Sequence, residues 1–485
     1  MADPARSAAV AGVAAVVLAA GAGARFGGGK LLVSLDGRPV LQHVLDRVAE
    51  VGVDEVVVVL GADAADVEAA IRWRRERRVQ NPDPGRGLSS SVRIGLDAVG
   101  SDVERVLVVL GDQPRVSPDV IRALIAADAA GRSVVVPAYA DDRGRNPVLV
   151  HRGAFPLAAT LEGDRGFGPL LAAHPDLVHE VHVSGRNPDI DTRDDLVALL
   201  EGSWAERVRA DRDQVDRFRE VPDGADYYAP VTSLFRADPT RTDEPALDAL
   251  LELVQPGDTW LDIGAGAGRY ALPIARALAA TGGQVIALDP SAAMLRALRE
   301  IADEHGIANV RTVEARWPPA GDHATSYAAD VALIAHVGYD IAEIGPFIRA
   351  MDAAARRSCV AVLMERQPSS IADACWPPVW GEDRVALPAL PDLVALMEAM
   401  GRSPQVRRLE REPRRFASRE GLEGFLRRQL WIAEGSAADG RFAAALEPLV
   451  VIDPDGRARL RDQRPMPIGV VSWTPAMPHS ALPSA

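Results

Sequence analysis

The sequence predicts an α/β protein built as two doubly wound, mostly parallel sheets in series. Three observations predict it. Apolar, valine-rich runs alternate with amphipathic segments, the pattern of strands whose two faces are both covered by helices. The alternation lapses in a charged stretch at 201–226 and resumes near residue 247. Each half also places a glycine-rich turn directly after its own first apolar run.

In the first half the runs at 13–19, 55–60, 105–110, 133–137 and 178–183 read as strands. Helical periodicity fills the gaps at 40–51, 64–72, 118–130 and 193–200. The second half repeats the alternation without repeating the sequence. A helix near 247 is followed by a strand at 259–263, helix 270–280, strand 284–288, helix 292–305 and strands 310–314 and 331–335. Beyond residue 369 the text becomes Trp- and Pro-rich, with a late helix at 419–431. Asp453-Pro454-Asp455-Gly456 between two apolar segments predicts a hairpin. The expected organisation is therefore a disordered leader at 1–11, a first domain at 12–200, a linker or helical segment at 201–226, a second domain with its extension at 227–475 and a flexible tail at 476–485.

Bulk composition narrows the function classes. A chain of 485 residues exceeds one ordinary core. Its 54 basic and 68 acidic side chains give a net charge of −14, which argues against general binding to a nucleic-acid backbone. The two cysteines, Cys359 and Cys375, belong to no Cys-x-x-Cys or Cys/His cluster, so a zinc site and a disulfide scaffold are not expected. The setting this suggests is reducing and cytoplasmic. The apolar stretch at 13–24 has the length of a signal-peptide core, but few cations precede it, and it reads better as a buried first strand. Nothing else is long and apolar enough to span a bilayer.

Chemistry enters after the first strand, in the run Leu18-Ala19-Ala20-Gly21-Ala22-Gly23-Ala24-Arg25-Phe26-Gly27-Gly28-Gly29-Lys30. Glycines free the backbone to turn N–H groups towards anionic oxygens, and Arg25 and Lys30 add charge where a triphosphate would lie. The run is no P-loop, because Leu31 and not Ser or Thr follows Lys30. Asp112, in Gly111-Asp112-Gln113-Pro114, ends the strand 105–110 and should face the same crevice. Alone it reads equally as a turn former; with the loop it becomes a candidate Mg²⁺ ligand.

These segments resemble the nucleotidyltransferase family that includes the molybdenum-cofactor cytidylyl- and guanylyltransferases. Three further stretches agree: Gly87-Leu88-Ser89-Ser90-Ser91, Asn146-Pro147-Val148 with Gly163-Asp164-Arg165-Gly166, and Asp189-Ile190-Asp191-Thr192. The resemblance covers about residues 12–200. It implies that Leu18, Ala20, Gly21, Gly23 and a loop at Ser89, Ser90 and Ser91 bind the nucleotide. It implies too that Arg25, Lys30 and Asp112 are catalytic, and that Asp112 and Asp191 hold Mg²⁺. Ala20 with the serines looks more like the cytidylyl branch, so CTP is the favoured substrate and a phosphorylated small molecule such as molybdopterin the acceptor. A molybdoenzyme or cofactor chaperone is the implied protein partner. Arg145 stands where relatives have glycine, which leaves a sugar phosphate or another small phosphorylated acceptor open.

The second half carries Asp262-Ile263-Gly264-Ala265-Gly266-Ala267-Gly268 after its first strand and Asp289 at the tip of its second. This Rossmann-like turn departs from the dinucleotide fingerprint, since Arg269 stands where a third glycine is required. Asp262 suits an amino group better than a pyrophosphate, and Asp289 suits a ribose diol. Over about residues 225–365 the chain resembles class I methyltransferases that use S-adenosylmethionine. The resemblance implies Asp262 near the methionine ammonium, Gly264, Gly266 and Gly268 under the cofactor and Asp289 on its ribose. The adenine-binding acid is displaced by Arg316. Trp317 beside it either stacks on adenine or simply packs, and His336 and Tyr339 are expected to line the active site. No Asn-Pro-Pro-Tyr motif occurs, so amino-group methylation of DNA or glutamine is not indicated. Trp376, Trp380, Trp431 and Trp473 either build an acceptor pocket or form late core. The expected function is bifunctional transfer; the competing reading makes one half a non-catalytic, ligand-sensing module.

Overall fold

The computed structural model describes residues 12–476 except 22, 24, 159, 165, 223–231, 233–234 and 320–326. The expected leader at 1–11 and all but the first residue of the expected tail lie outside the described residues. The chain divides into two compact units, Met1–Val197 and Ala198–Ala485.

The first unit is built on a seven-stranded sheet. Its strands are β1 (Val13–Ala19), β2 (Glu55–Leu60), β3 (Arg77–Gln80), β4 (Arg105–Leu110), β5 (Val134–Tyr139), β6 (Val148–His151) and β7 (Val178–Val183). The spatial order is β3-β2-β1-β4-β6-β5-β7, parallel throughout except that β6 runs antiparallel to both β4 and β5. All seven residues of β1 are buried. Ala15 and Val17 pack with Val44, Leu45 and Ile121 on one face, while Ala14 and Val16 pack with Val92 and Leu96 on the other. Period-2 alternation thus serves two apolar faces, and this is why the strand reads as a continuous apolar run.

Two local readings are corrected. The serine-rich segment, expected as a loop, is the first turn of the helix Leu88–Ala98. The helix expected at 193–200 continues without a break as Arg193–Phe218. Its high charge hides a buried stripe of Trp204, Val208 and Val215, and Trp204 donates its indole N–H to the Ile341 carbonyl at 3.0 Å.

Gly95 sits in the helix Leu88–Ala98 against β1, where an added Cβ would lie 2.3 Å from Val16 Cγ1. Overpacking of this kind costs about 1–3 kcal/mol, against a gain of about 1 kcal/mol from helix propensity. Gly95→Ala is therefore expected to lower the urea midpoint of the first unit's unfolding transition. A raised midpoint would show that the propensity gain prevails and the close packing does not matter.

The second unit has its own seven-stranded sheet: β8 (Thr259–Ile263), β9 (Gln284–Asp289), β10 (Val310–Glu314), β11 (Ala329–Ala335), β12 (Ala355–Met364), β13 (Gln405–Leu409) and β14 (Ile468–Trp473). The order is β10-β9-β8-β11-β12-β14-β13, with β14 antiparallel to both of its neighbours. The expected hairpin forms between Val450–Ile452 and Ala458–Leu460. A separate apolar cluster holds this extension together around Trp376, Phe442, Leu426 and Val215. Trp376 is fully buried, and Trp473 is buried with its indole N–H donated to Asp352 at 2.9 Å, so both are core residues.

In both sheets the strand order reverses beside the first strand, between β1 and β4 and between β8 and β11. The crevice beyond the carboxyl ends at such a reversal is where open α/β sheets take ligands. Both glycine turns and the acids Asp112 and Asp289 lie there.

Candidate active sites

In the first unit the loop after β1 folds on itself. The amides of Phe26, Gly27 and Gly28 all donate to the Gly23 carbonyl at 2.9–3.1 Å. Gly27, Gly28 and Gly29 take positive φ and face open space. The turn delivers Lys30 to the crevice, where its ammonium hydrogen-bonds Asp112 Oδ2 and lies 3.5 Å from Asp191 Oδ1. Arg25 reaches the other oxygen of Asp191 at 3.2 Å while its side chain stays 75% exposed. The Asp112 carbonyl accepts from the Ile190 amide at 3.1 Å, a clasp that brings Asp191 to the same point.

The electrostatics follow from this convergence. Burial opposes a charge on Lys30, but Asp112 and then Asp191 outweigh it and hold the ammonium above its ordinary pKa. Burial first, and then the charges of Asp191 and Asp112, push Asp189 above the usual carboxylate range. Asp189 is thus a third acid beside the pair. Its place in the closing motif was visible in the sequence; its nearness to Asp112 was not.

Asp112 and Asp191 fit the hard divalent cation that the resemblance implies, since both offer oxygen ligands and converge on one cation, the Lys30 ammonium. Among the described residues no group of three His, Cys, Asp or Glu side chains forms a closed metal cage. Mg²⁺ commonly uses one or two carboxylates and completes its shell with water and phosphate.

The serines expected at the nucleotide turn inwards. Ser89, Ser90 and Ser91 are buried, and Asn81 Nδ2 donates to Ser90 Oγ at 2.8 Å and Ser91 Oγ at 3.0 Å. Asn81 carries no signal of its own in the sequence, since it follows the short edge strand β3, which has no apolar pattern. The amide of Leu88 donates to Asp164 Oδ1 at 3.1 Å and that of Ser89 to the Gly163 carbonyl at 3.1 Å, so the 163–164 segment caps this helix. Gly87 is needed where the two segments meet: a Cβ there would lie 2.5 Å from the Gly163 carbonyl.

Beside Leu18 and Leu110, at the carboxyl ends of β1 and β4, lies a cavity of about 280 Å³ with Leu88 and Phe167 in its wall and Arg143 and Asn146 at its polar side. A larger hollow of about 670 Å³ runs along Arg132, His179 and Glu180, away from the glycine loop. The smaller one adjoins the strand ends that position Asp112 and Lys30. Arg145, which borders both, pairs with Glu180 at 2.8 Å.

In the second unit Gly264, Gly266 and Gly268 all take positive φ. The amides of Gly264 and Ala265 are tied to the Leu288 carbonyl at 2.7 and 3.1 Å. Gly266 donates to Asp289 Oδ2 at 2.8 Å, and Ser291 to Asp289 Oδ1 at 2.8 Å. A Cβ on Gly266 would meet nothing within 4 Å, so the turn is open on that side. Asp262 is buried beneath it, and its Oδ1 has no hydrogen-bond partner. Burial, then the nearby Asp289, pushes its carboxyl up to about 7. A buried acceptor without a donor, under an open glycine turn, fits the ammonium end of S-adenosylmethionine.

His336 follows β11 with φ 59° and a buried Nδ1 that has no partner. Burial, Arg411 and Arg269 hold its pKa down to about 4, so the imidazole is neutral at physiological pH. Its ring lies 6.4 Å from that of Tyr270. Tyr339 is buried and accepts the Met364 amide at 2.7 Å. Trp317 donates its indole N–H to the Phe347 carbonyl at 3.3 Å and meets the Tyr327 ring edge-on at 6.4 Å, so packing contacts hold it.

Comparison with known proteins separates the two units in the same way. Residues 15–178 match the MobA-like NTP transferase domain, and residues 261–356 match a methyltransferase domain. Nicotine blue oxidoreductase of Paenarthrobacter nicotinovorans is 34% identical over 198 residues, 39% of this chain and 96% of that protein. The 2-C-methyl-D-erythritol 4-phosphate cytidylyltransferase of Cereibacter sphaeroides is 32% identical over 202 residues, 39% of this chain and 87% of its own length. The bifunctional protein GlmU of Bordetella petrii is 35% identical over 138 residues, and the chain spans only 30% of its length. The chain therefore belongs, through its first unit, to the MobA-like NTP transferase family, and it carries a methyltransferase domain in its second, a fusion of two transferases.

Proposed function

We propose that the first unit transfers a nucleotidyl group from CTP to a phosphorylated small acceptor, with Mg²⁺, and that the second methylates a small molecule with S-adenosylmethionine. The observation that carries the first half is the Lys30 ammonium held between the carboxylates of Asp112, beyond the end of β4, and Asp191, just before the helix Arg193–Phe218, beside an open glycine loop. Bound Mg²⁺ would supply Lewis-acid and templating chemistry from Asp112 and Asp191. The chain's own part is to place Lys30 and Arg25 against the triphosphate. An acceptor phosphate oxygen forms a bond to the α-phosphorus, the bond to the β-phosphate oxygen breaks, and pyrophosphate leaves. Alignment and neutralisation of charge lower the barrier, and no covalent enzyme intermediate is needed.

CTP is favoured by the cytidylyl-like loop and by the similarity to a cytidylyltransferase. Molybdopterin is the acceptor the family resemblance suggests. A sugar phosphate is the alternative, because Arg143 and Asn146 leave the small cavity a polar wall suited to either. In the second unit the orphaned Asp262 oxygen and the Gly266–Asp289 bond support an adenosyl cofactor, which brings an electrophilic methyl group when bound. We place the protein in the cytoplasm, with small molecules and neither nucleic acid nor membrane as its partners, apart from a molybdoenzyme or cofactor chaperone on the same resemblance. Both cysteines are free and buried, and no helix among the described residues is long and apolar enough to cross a membrane.

The test is a panel of nucleoside triphosphates and phosphorylated acceptors with released pyrophosphate as readout. Release with CTP that stops on adding EDTA is expected. No release with any pair would overturn the reading.

A further inference from the structure

Basic side chains gather over the carboxyl end of β11 in the second unit. Arg269 follows the glycine turn, Arg411 and Arg414 lie on the segment after β13, and Arg428 lies near the end of the helix Arg419–Gln429. All four are exposed. Arg414 is placed by aromatic rings and not by an acid: its guanidinium carbon lies 4.2 Å from the Phe425 ring centre and 5.0 Å from that of Phe416. Those two rings pack on each other at 5.3 Å. Arg269 lies 5.9 Å over Tyr270, whose ring neighbours His336.

The charges in this group are not balanced. Arg269 is met by Glu244 at 2.9 Å, but Arg411, Arg414 and Arg428 have no ion pair among the described residues. Their acidic chain neighbours Glu410 and Glu412 do not pair with them either, and Arg415 turns instead to Asp453 at 3.8 Å. Desolvation, and then the neighbouring charges of Arg411, Arg428 and Arg269, hold the Arg414 guanidinium below its ordinary range. Arg411 and Arg269 press on His336 in the same sense. Elsewhere on this unit, exposed arginines are commonly satisfied by a carboxylate, as Arg407 is by Glu252 at 2.6 Å. Three cations collected without a counter-ion, beside a buried imidazole nitrogen that lacks a partner, leave an anion's place open.

We infer that Arg411, Arg414 and Arg428, with Arg269 and His336, form a recognition site for an anionic oxygen group, a carboxylate or phosphate, on the molecule that the second unit methylates. The assignment of this anion to the methyl acceptor rests on the methyltransferase reading; the anion site itself does not. Recognition needs no covalent step: guanidinium N–H groups donate to the anionic oxygens, and the neutral His336 Nδ1 stands next to the bound group.

Peptide-resolved phenylglyoxal labelling tests the site in the full chain, and reads each arginine separately from the phosphate-binding loop of the first unit. At fixed ionic strength, Arg411 and Arg414 are expected to label faster than Arg407, because no carboxylate pairs with them among the described residues while Glu252 holds the Arg407 guanidinium at 2.6 Å. Saturating inorganic phosphate, or benzoate in a second arm, is expected to slow both by about tenfold while leaving Arg407 unchanged. The arm that protects identifies the group as phosphate or carboxylate. Equal labelling of all three residues, unaffected by either anion, would overturn the site. A parallel thermal-shift measurement with S-adenosylhomocysteine separates the two readings. Protection without a shift would keep the anion site and remove the methyl acceptor from it. A shift without protection would do the reverse. Arg414→Gln is expected to abolish protection at Arg411 and leave the S-adenosylhomocysteine shift intact; protection that survives this change would remove Arg414 from the site.

Discussion

Lys30→Met is expected to reduce pyrophosphate release by about 10²–10³-fold at saturating nucleotide, the loss that follows removal of one preorganised charge from a site of developing negative charge. The side chain is well placed for such an effect. It is only 11% exposed, and the carboxylates of Asp112 and Asp191 have already drawn its ammonium to one point in the crevice. When a triphosphate enters, that cation is desolvated and oriented, so no reorganisation is left for the chemical step. Methionine keeps the length and the packing against Gly23, whose position Lys30 Cγ crowds. The fold should therefore persist. A second readout follows from the same geometry. Without Lys30 the two acids repel across the gap, so the first unit's melting temperature should fall in EDTA and recover with millimolar Mg²⁺. Wild-type protein, which carries its own cation there, should respond less. Turnover within a few-fold of wild type, or an equal response of both proteins to Mg²⁺, would sink the assignment.

How much of this was legible follows from which residues carry a local signal. The central strands were, because burial on both faces leaves β1 an uninterrupted run of Val, Leu and Ala, and β2 and β4 runs of Val and Leu after one charged residue each. The reversed β6 was not read as a strand, since its four residues lie close after Asn146-Pro147 and make no run long enough to stand out. The charged helix Arg193–Phe218 was read in two pieces, because its apolar stripe is only one residue wide at Trp204, Val208 and Val215. Among site residues, Asp112 and Asp262 announce themselves near strand ends beside glycines, Lys30 by closing a glycine-rich loop and Asp289 by ending an apolar strand. The inward turn of Ser90 and Ser91 depends on Asn81, a contact between residues whose partnership no spacing rule encodes. The arginine cluster joins Arg269 to Arg411, Arg414 and Arg428 only through the fold, and single arginines in a chain with 54 basic residues carry no pattern of their own.

Asp262→Asn should weaken S-adenosylhomocysteine binding by about 10²-fold, the worth of a charge-assisted hydrogen bond to a buried carboxylate, and should also remove a pH dependence that wild type is expected to show. The carboxyl is buried, its Oδ1 unpartnered and its pKa raised to about 7 by burial and then by Asp289. The sign follows from proton counting. Between about pH 4 and 7 the unfolded chain has released this proton and the empty folded protein still holds it, so this group's contribution to stability declines as pH rises through that window. A ligand ammonium supplies the charge that burial withholds, so binding ionises Asp262 and expels a proton whenever the pH is below 7. Affinity should then fall by up to about tenfold for each pH unit below 7 and level off above it. Calorimetry in buffers of different ionisation enthalpy reads the expelled proton directly. In Asp262→Asn the proton release should vanish, and the stability of the second unit between pH 4 and 7 should lose the decline contributed by this group. Affinity that is equal at pH 5.5 and 8 in the wild type would mean that Asp262 does not meet the ammonium. The open turn at Gly266 would then have to be holding its ligand through Asp289 and the backbone alone.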